Sequence, residues 1–276
     1  MSRRPTQEAA RRAVFCLLTV TYFDCVGFQL QRGSDLEALA EQAARLGQPL
    51  ATEPGFGLRR WQVGDGVELW AELGPAGQPL GLLPFFETGV RHRAAVVAVG
   101  HDPQNPEEGW GEVWLDPTDP AEPYSGRFPL VCDLVDFLCV VQHLAPLPAF
   151  VDLELVCFAD AVVGFRDILD WGESQHATGF RLPPRTFAST WHTSLDEGAD
   201  RDRPEATAWI AGTVERVERR TNPLTHRRFV SLQVDVGGVV VDLVAPEDLA
   251  GGLEPGWLVQ AGAWILARIP GLERPG

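Results

Sequence analysis

Four arginines, Arg219, Arg220, Arg227 and Arg228, fall within ten residues of one another. With Arg216, Asn222 and His226 they make the stretch from Arg216 to Arg228 a basic segment on an acidic chain. Guanidinium groups at that density suit phosphate or carboxylate, because each presents a planar fork of N–H donors. Glu215 and Glu218 alternate with them, so the same spacing also fits a solvated hairpin tip with cross-strand Arg–Glu pairs. Three uses stay open: a hairpin tip, a contact with another protein or domain, or a grip on single-stranded nucleic acid.

A second group of candidates is aromatic. Trp70 stands between Glu68 and Glu72, while Trp110 and Trp114 flank Glu112. At strand spacing each tryptophan shares a face with carboxylates. An indole beside a carboxylate grips a sugar or a cationic partner, and the same pattern serves a packed sheet edge. The candidate partner-binding residues are therefore Arg219, Arg220, Arg227, Arg228, Trp70 and Trp110.

The groups suited to catalysis are dispersed. His101-Asp102 with Glu112 offers an acid/base pair and is the basis of a hydrolase-like alternative using carboxylates of residues 100–125. His192, Ser194 and Asp196 are the residue types of a triad, crowded into a polar stretch. Cys25 follows Asp24 with no activating cation beside it. Asp116, Asp119 and Glu122 recur at three-residue intervals and could present oxygen to calcium or magnesium, but Pro117, Pro120 and Pro123 interrupt them. His92, His101 and His143 have no ligand-like local spacing. Catalytic residues stay unassigned, and neither a metal nor a cofactor is implied.

All 23 basic residues are arginine. Without lysine there is no Schiff-base nucleophile and no phosphate-contacting P-loop lysine. The G-x-S-x-G, H-E-x-x-H and G-x-G-x-x-G patterns do not occur either. Net charge is −15, and residues 100–175 carry 15 Asp and Glu against Arg127 and Arg166 alone. Such a field repels a nucleic-acid backbone and favours a cationic partner or simply solubility; the expected partner is another protein. Five cysteines, an odd number without C-x-x-C, read as free thiols in a reducing compartment. The apolar run 14–20 has only seven residues, no small-residue cleavage site follows it, and a membrane span needs about 20, so the expectation is a cytoplasmic protein with no membrane contact.

The elements that must position these residues alternate in type. Residues 14–23 read as a buried strand, and a helix begins with Ser34 as N-cap and Glu37 closing a capping box. Its apolar face is Leu36, Leu39, Ala40, Ala43 and Leu46, and Gly47 ends it in a left-handed conformation. Strands 56–63 and 67–73 form a hairpin about Gly64-Asp65-Gly66, and residues 79–86 make another strand. Further strands are expected at 93–100, 110–115, 128–131 and 151–158, with a helix over 132–143 started by Asp133. Residues 164–185 show polar and Gly/Pro breaks.

From Ala206 onward the pattern is three strands (206–216, 229–236, 239–244), a short helical connection at 246–249, and strands 257–260 and 264–267 split by Gly262. This order resembles the oligonucleotide/oligosaccharide-binding barrel, the OB fold, over about a quarter of the chain. The resemblance implies a ligand face on the second and third strands, rimmed by the arginine segment. The expected fold is α+β: an acidic mixed region at 13–190, readable as two units (13–92 and 93–190), a linker at 191–205, and a five-stranded OB-like barrel at 206–270. The expected function is a binding or accessory protein contacting another protein, with the hydrolase-like enzyme and the single-strand nucleic-acid binder as alternatives.

Overall fold

The structure is a computed structural model that describes residues 22–50, 55–103, 105–119, 121–178, 182–193 and 204–272. The expected first strand, almost all of residues 14–23, and the central part of the expected linker lie outside the described residues.

Gly64-Asp65-Gly66 reverses the chain with all three residues at positive φ, 126°, 51° and 84°. The reversal pairs β2 (Gly57–Gly64) with β3 (Val67–Leu73), as its glycine content requires. β1 (Gln48–Leu50) and β4 (Pro79–Phe86) complete a four-stranded antiparallel sheet in the order β1-β2-β3-β4. Helix α1 (Gly33–Leu46) lays Leu39, Ala40 and Ala43 on this sheet and leaves Leu46 exposed.

The start of α1 differs from the sequence reading. Arg32 is the N-cap, and Asp35 accepts the N–H groups of Gln31 and Arg32 at 3.1 and 3.0 Å. Gly47 follows the helix with φ −66°, so left-handed backbone is not its reason. A Cβ there would sit 2.7 Å from the Ala43 carbonyl and 3.0 Å from Arg59 Cβ, and space excludes any larger residue.

β3 is the central element of the small sheet, and all seven of its residues are buried. Alternation along it suggested a core face and a polar face, but the second face, Glu68, Trp70 and Glu72, is covered by the larger sheet. That larger sheet has nine strands: β5 (His92–Asp102), β6 (Asn105–Leu115), β7 (Phe128–Leu134), β8 (Ala149–Phe165), β9 (Thr186–Ser189), β10 (Thr207–Thr221), β11 (Arg228–Asp235), β12 (Val240–Pro246) and β13 (Leu258–Arg268). Their order is β11-β12-β8-β5-β6-β7-β13-β10-β9. The β12–β8 and β13–β7 pairs are parallel, and further pairings, β10 with β11 and β8 with β13, fold the sheet back on itself. One continuous apolar core runs through both sheets.

The overall α+β composition is as expected, but the five-stranded OB-like barrel is not what forms. The last quarter supplies four strands to a nine-stranded mixed sheet, and the middle of the chain supplies the rest. The two strands expected at 257–260 and 264–267 are a single strand, β13. Gly262 shifts its register against β8 without ending it, a β-bulge in place of a break. β8 runs for 17 residues, pairing with β5, β12 and β13 along its length.

Four helices, two of them a single turn, connect strands of the large sheet. α2 (Phe137–His143) starts after Asp136, later than expected, because residues 132–134 continue β7. α3 (Ile168–Thr178) occupies the stretch read as broken. α4 (Thr190–Thr193) is a single turn after β9, and α5 (Glu247–Ala250) is the short connection expected between β12 and β13.

Candidate functional site

The four predicted arginines do not form one surface. β10 extends to Thr221, so Arg219 and Arg220 are strand residues whose side chains leave opposite faces. Arg219 Nη2 donates to the Gly251 carbonyl at 2.8 Å. Arg220 is ion-paired with Glu218 and lies over the Phe86 ring. Arg228 pairs with Glu247 at 2.8 Å, and Arg227 is exposed, its charge opposing the burial that raises the Asp24 pKa. The loop between β10 and β11 is tied down as well. Asn222 is fully buried, its amide donating to the Val26 carbonyl at 2.7 Å, and Thr225 Oγ1 donates to the Gly27 carbonyl at 2.7 Å.

The tryptophans are engaged in packing. Trp70 is completely buried, with Nε1 donating to Glu68 at 3.0 Å. Trp110 is half-buried and covers Gly100, where a Cβ would lie 2.4 Å from the indole. Trp114 meets Tyr124 edge to face.

The catalytic candidates are redistributed. Strand register sets Glu112 opposite Ala98 and His101 opposite Gly109, about 10 Å apart along β5 at 3.4 Å per residue. His101 packs on Phe137, and Glu112 accepts or shares a hydrogen bond with His192 Nε2 at 3.1 Å. His192 Nδ1 lies 3.3 Å from Ser189 Oγ. This Glu112–His192–Ser189 chain joins β6 to the β9–α4 junction, a link hidden from sequence because 80 residues separate Glu112 from His192. Ser189 is only 2% exposed, so its hydroxyl does not face a substrate. Ser194 and Asp196 lie outside the described residues.

Asp116 pairs with Arg127 at 2.8 Å and Asp119 caps its own loop through Ala121 N–H. Among the described residues no cluster of three His, Cys, Asp or Glu has metal-binding geometry. Cys25, Cys132, Cys139 and Cys157 are buried free thiols. Burial pushes the Cys25, Cys132 and Cys157 pKa values well above the usual thiol range, which leaves them unreactive.

Two sites emerge that the sequence did not single out. The first is an open cleft of about 440 Å³ between β7, β9 and the β11–β12 turn. Its floor is the Phe128–Phe187 pair, stacked at 4.9 Å and 9°. Arg127 and Arg185 stand on either side of Gly237-Gly238, whose φ values are 108° and 92°. A Cβ on Gly238 would be 3.1 Å from Arg127 Nη1, and one on Gly237 would be 3.8 Å from Arg185 Cβ, so the glycines keep the cleft open between the two cations. Asp235 Oδ1 accepts both glycine N–H groups, holding the turn. Arg127 is pinned by Asp116, whereas Arg185 is exposed with no ion-pair partner among the described residues. Beside them β9 has one strand neighbour, β10, and its second edge carries no strand among the described residues.

The second is a buried ionic seam between the two sheets. Arg268, 3% exposed, donates to Glu154 at 2.7 Å, to Glu68 at 3.1 Å and to Glu87 at 2.9 Å. Glu68 also takes Arg60, and Glu154 accepts the N–H groups of Thr88 and Gly89. At one end of this seam is a small polar cavity of about 40 Å³ that includes Asp242. Burial raises the Asp242 pKa to about 6, against hydrogen bonds from Thr88 and Gln233.

No helix among the described residues is long and apolar enough to cross a membrane. Neither a family model nor a curated protein sequence matches the chain.

Proposed function

We propose that this is a cytoplasmic accessory protein that binds an acidic, extended segment of another protein at the Arg127–Arg185 cleft and the edge of β9. The observation that carries the reading is Arg185: an exposed guanidinium without an ion-pair partner among the described residues, on a chain of net charge −15, across an aromatic-floored cleft from a second arginine. Guanidinium forks recognise carboxylates bidentately. Stacked phenylalanines give an apolar anchor beside them. An edge strand supplies backbone hydrogen bonds to an incoming extended chain, the strand-addition mode of recognition. The buried thiols without disulfides support a reducing compartment.

The alternatives draw less support. The four arginines expected to grip nucleic acid point to different faces, and three of them are engaged by protein groups. The hydrolase reading loses its acid/base pair because Glu112 bonds His192 while His101 packs on Phe137.

The test is fluorescence anisotropy with a labelled peptide of alternating Asp and Val residues, compared with its Lys/Val counterpart. Binding of the acidic peptide alone is expected, weakening as salt rises. Arg127→Glu with Arg185→Glu should reduce affinity at least about tenfold, the loss of roughly 1.4 kcal/mol. Equal binding by wild type and the double variant refutes the site.

A further inference from the structure

We propose that Asp160, Tyr22 and Trp209 form a binding site for a quaternary ammonium group. The bulge between β8 and β13 makes the site. Ala159 faces Ala263 and Ala161 faces Gly262, so Asp160 is the extra residue on β8. A bulge leaves its extra residue out of the ladder and re-aims the side chain. Here the carboxylate comes to lie over Gly262. A Cβ on Gly262 would stand 3.1 Å from Asp160 Oδ1 and 3.4 Å from Trp209 Cζ3. The missing side chain thus lets the carboxylate and the indole edge meet at one point. Strand register brings the indole there, since Trp209 pairs with Gly262 between β10 and β13. The other oxygen of Asp160, Oδ2, accepts the Tyr22 hydroxyl at 3.2 Å, and the Tyr22 ring leans on Trp264 with centroids 5.1 Å apart.

These residues suit a cation without N–H donors. Asp160 is exposed, and no ion pair among the described residues neutralises it. Trp209 beside it is 41% exposed. Burial, with the Asp160 charge adding to it, pushes the Tyr22 pKa well above the usual phenol range, so the hydroxyl stays a donor to the carboxylate. A carboxylate set between a phenol and an indole attracts a cation by its own charge and by the negative faces of the rings. A guanidinium fork is best met by both oxygens of one carboxylate, and here Oδ2 is committed to Tyr22. A primary ammonium brings three N–H donors that each ask for an acceptor. A quaternary ammonium has no N–H to satisfy, and its methyl groups pack on aromatic rings. The chain's net charge of −15 raises the local concentration of any such cation.

The experiment is saturation-transfer difference NMR of the full chain with choline, compared with the uncharged analogue in which carbon replaces the choline nitrogen. Transfer to the choline methyl protons is expected, with little to the uncharged analogue, because the attraction depends on charge. Trp209→Leu and Asp160→Asn should each weaken choline binding about fivefold. Equal transfer to the two probes, or choline binding unchanged in both variants, overturns the site. Tighter binding of arginine methyl ester than of choline overturns the choice of ligand. Should a variant not fold, competition on the wild type decides: tetramethylammonium that displaces choline where sodium at equal ionic strength does not supports the site, and equal displacement by the two salts overturns it.

Discussion

Single residues carry the strongest departures from ordinary chemistry. Glu72 is 2% exposed and its Oε2 has no hydrogen-bond partner. Burial raises its pKa well above the ordinary 4.5, and Glu108, Glu107 and Asp133 add to the rise. The folded state therefore holds a proton that the unfolded chain releases. For a raised carboxyl the stabilising contribution is complete below the unfolded value, 4.5, and is lost as pH climbs towards the folded value. Glu72→Gln keeps the neutral shape and removes the titration. Thermal melts at about pH 5 and about pH 8 should show a smaller drop in Tm for the variant than for wild type. Equal drops would show that Glu72 does not set this pH dependence. None of this was legible in sequence, where the alternation Glu68-Leu69-Trp70-Ala71-Glu72 is identical for a solvated face and for one roofed by a second sheet. What distinguishes them is the long-range arrival of β8 and β13, which brings Arg268 to Glu68.

At the scale of elements, that arrival is what joins the two sheets. β3 gives Glu68, β8 gives Glu154, β13 gives Arg268, and the turn after β4 gives Glu87. Removing the cation leaves Glu68 and Glu154 buried without it. Arg268→Ala should cost about 3–5 kcal/mol, read as a lower denaturant midpoint at unchanged or lower cooperativity. A loss under about 1 kcal/mol, the scale of a surface pair, would place the sheets' junction elsewhere. Local elements were readable where backbone chemistry is unambiguous, as in the Gly64-Asp65-Gly66 turn and the Gly237-Gly238 turn. Gly262 was misread because a bulge and a chain reversal ask for the same residue, and only the β8 register separates them. The parallel β12–β8 and β13–β7 pairs join strands about 85 and 130 residues apart, beyond any local pattern.

For the whole molecule, the distribution of charge matters more than its sum. Five arginines are paired with carboxylates of the chain itself: Arg60 and Arg268 on the seam, Arg216 and Arg220 on Glu218, Arg228 on Glu247. The basic segment prominent in sequence is thus largely neutralised in the fold, and Arg127 and Arg185, 58 positions apart and unremarkable by spacing, face each other across a cleft. The candidate site was illegible because it is assembled by β7, β9 and the β11–β12 turn, which meet only when the nine-stranded sheet forms. At this site an acidic extended chain is proposed to add to the edge of β9 that carries no strand among the described residues. Amide hydrogen exchange of the full chain, with and without the acidic peptide, tests this most directly. Slowed exchange is expected across Thr186–Ser189 and the Gly237-Gly238 turn, with other strands unchanged; exchange in β9 that stays the same at saturating peptide would rule out strand addition there.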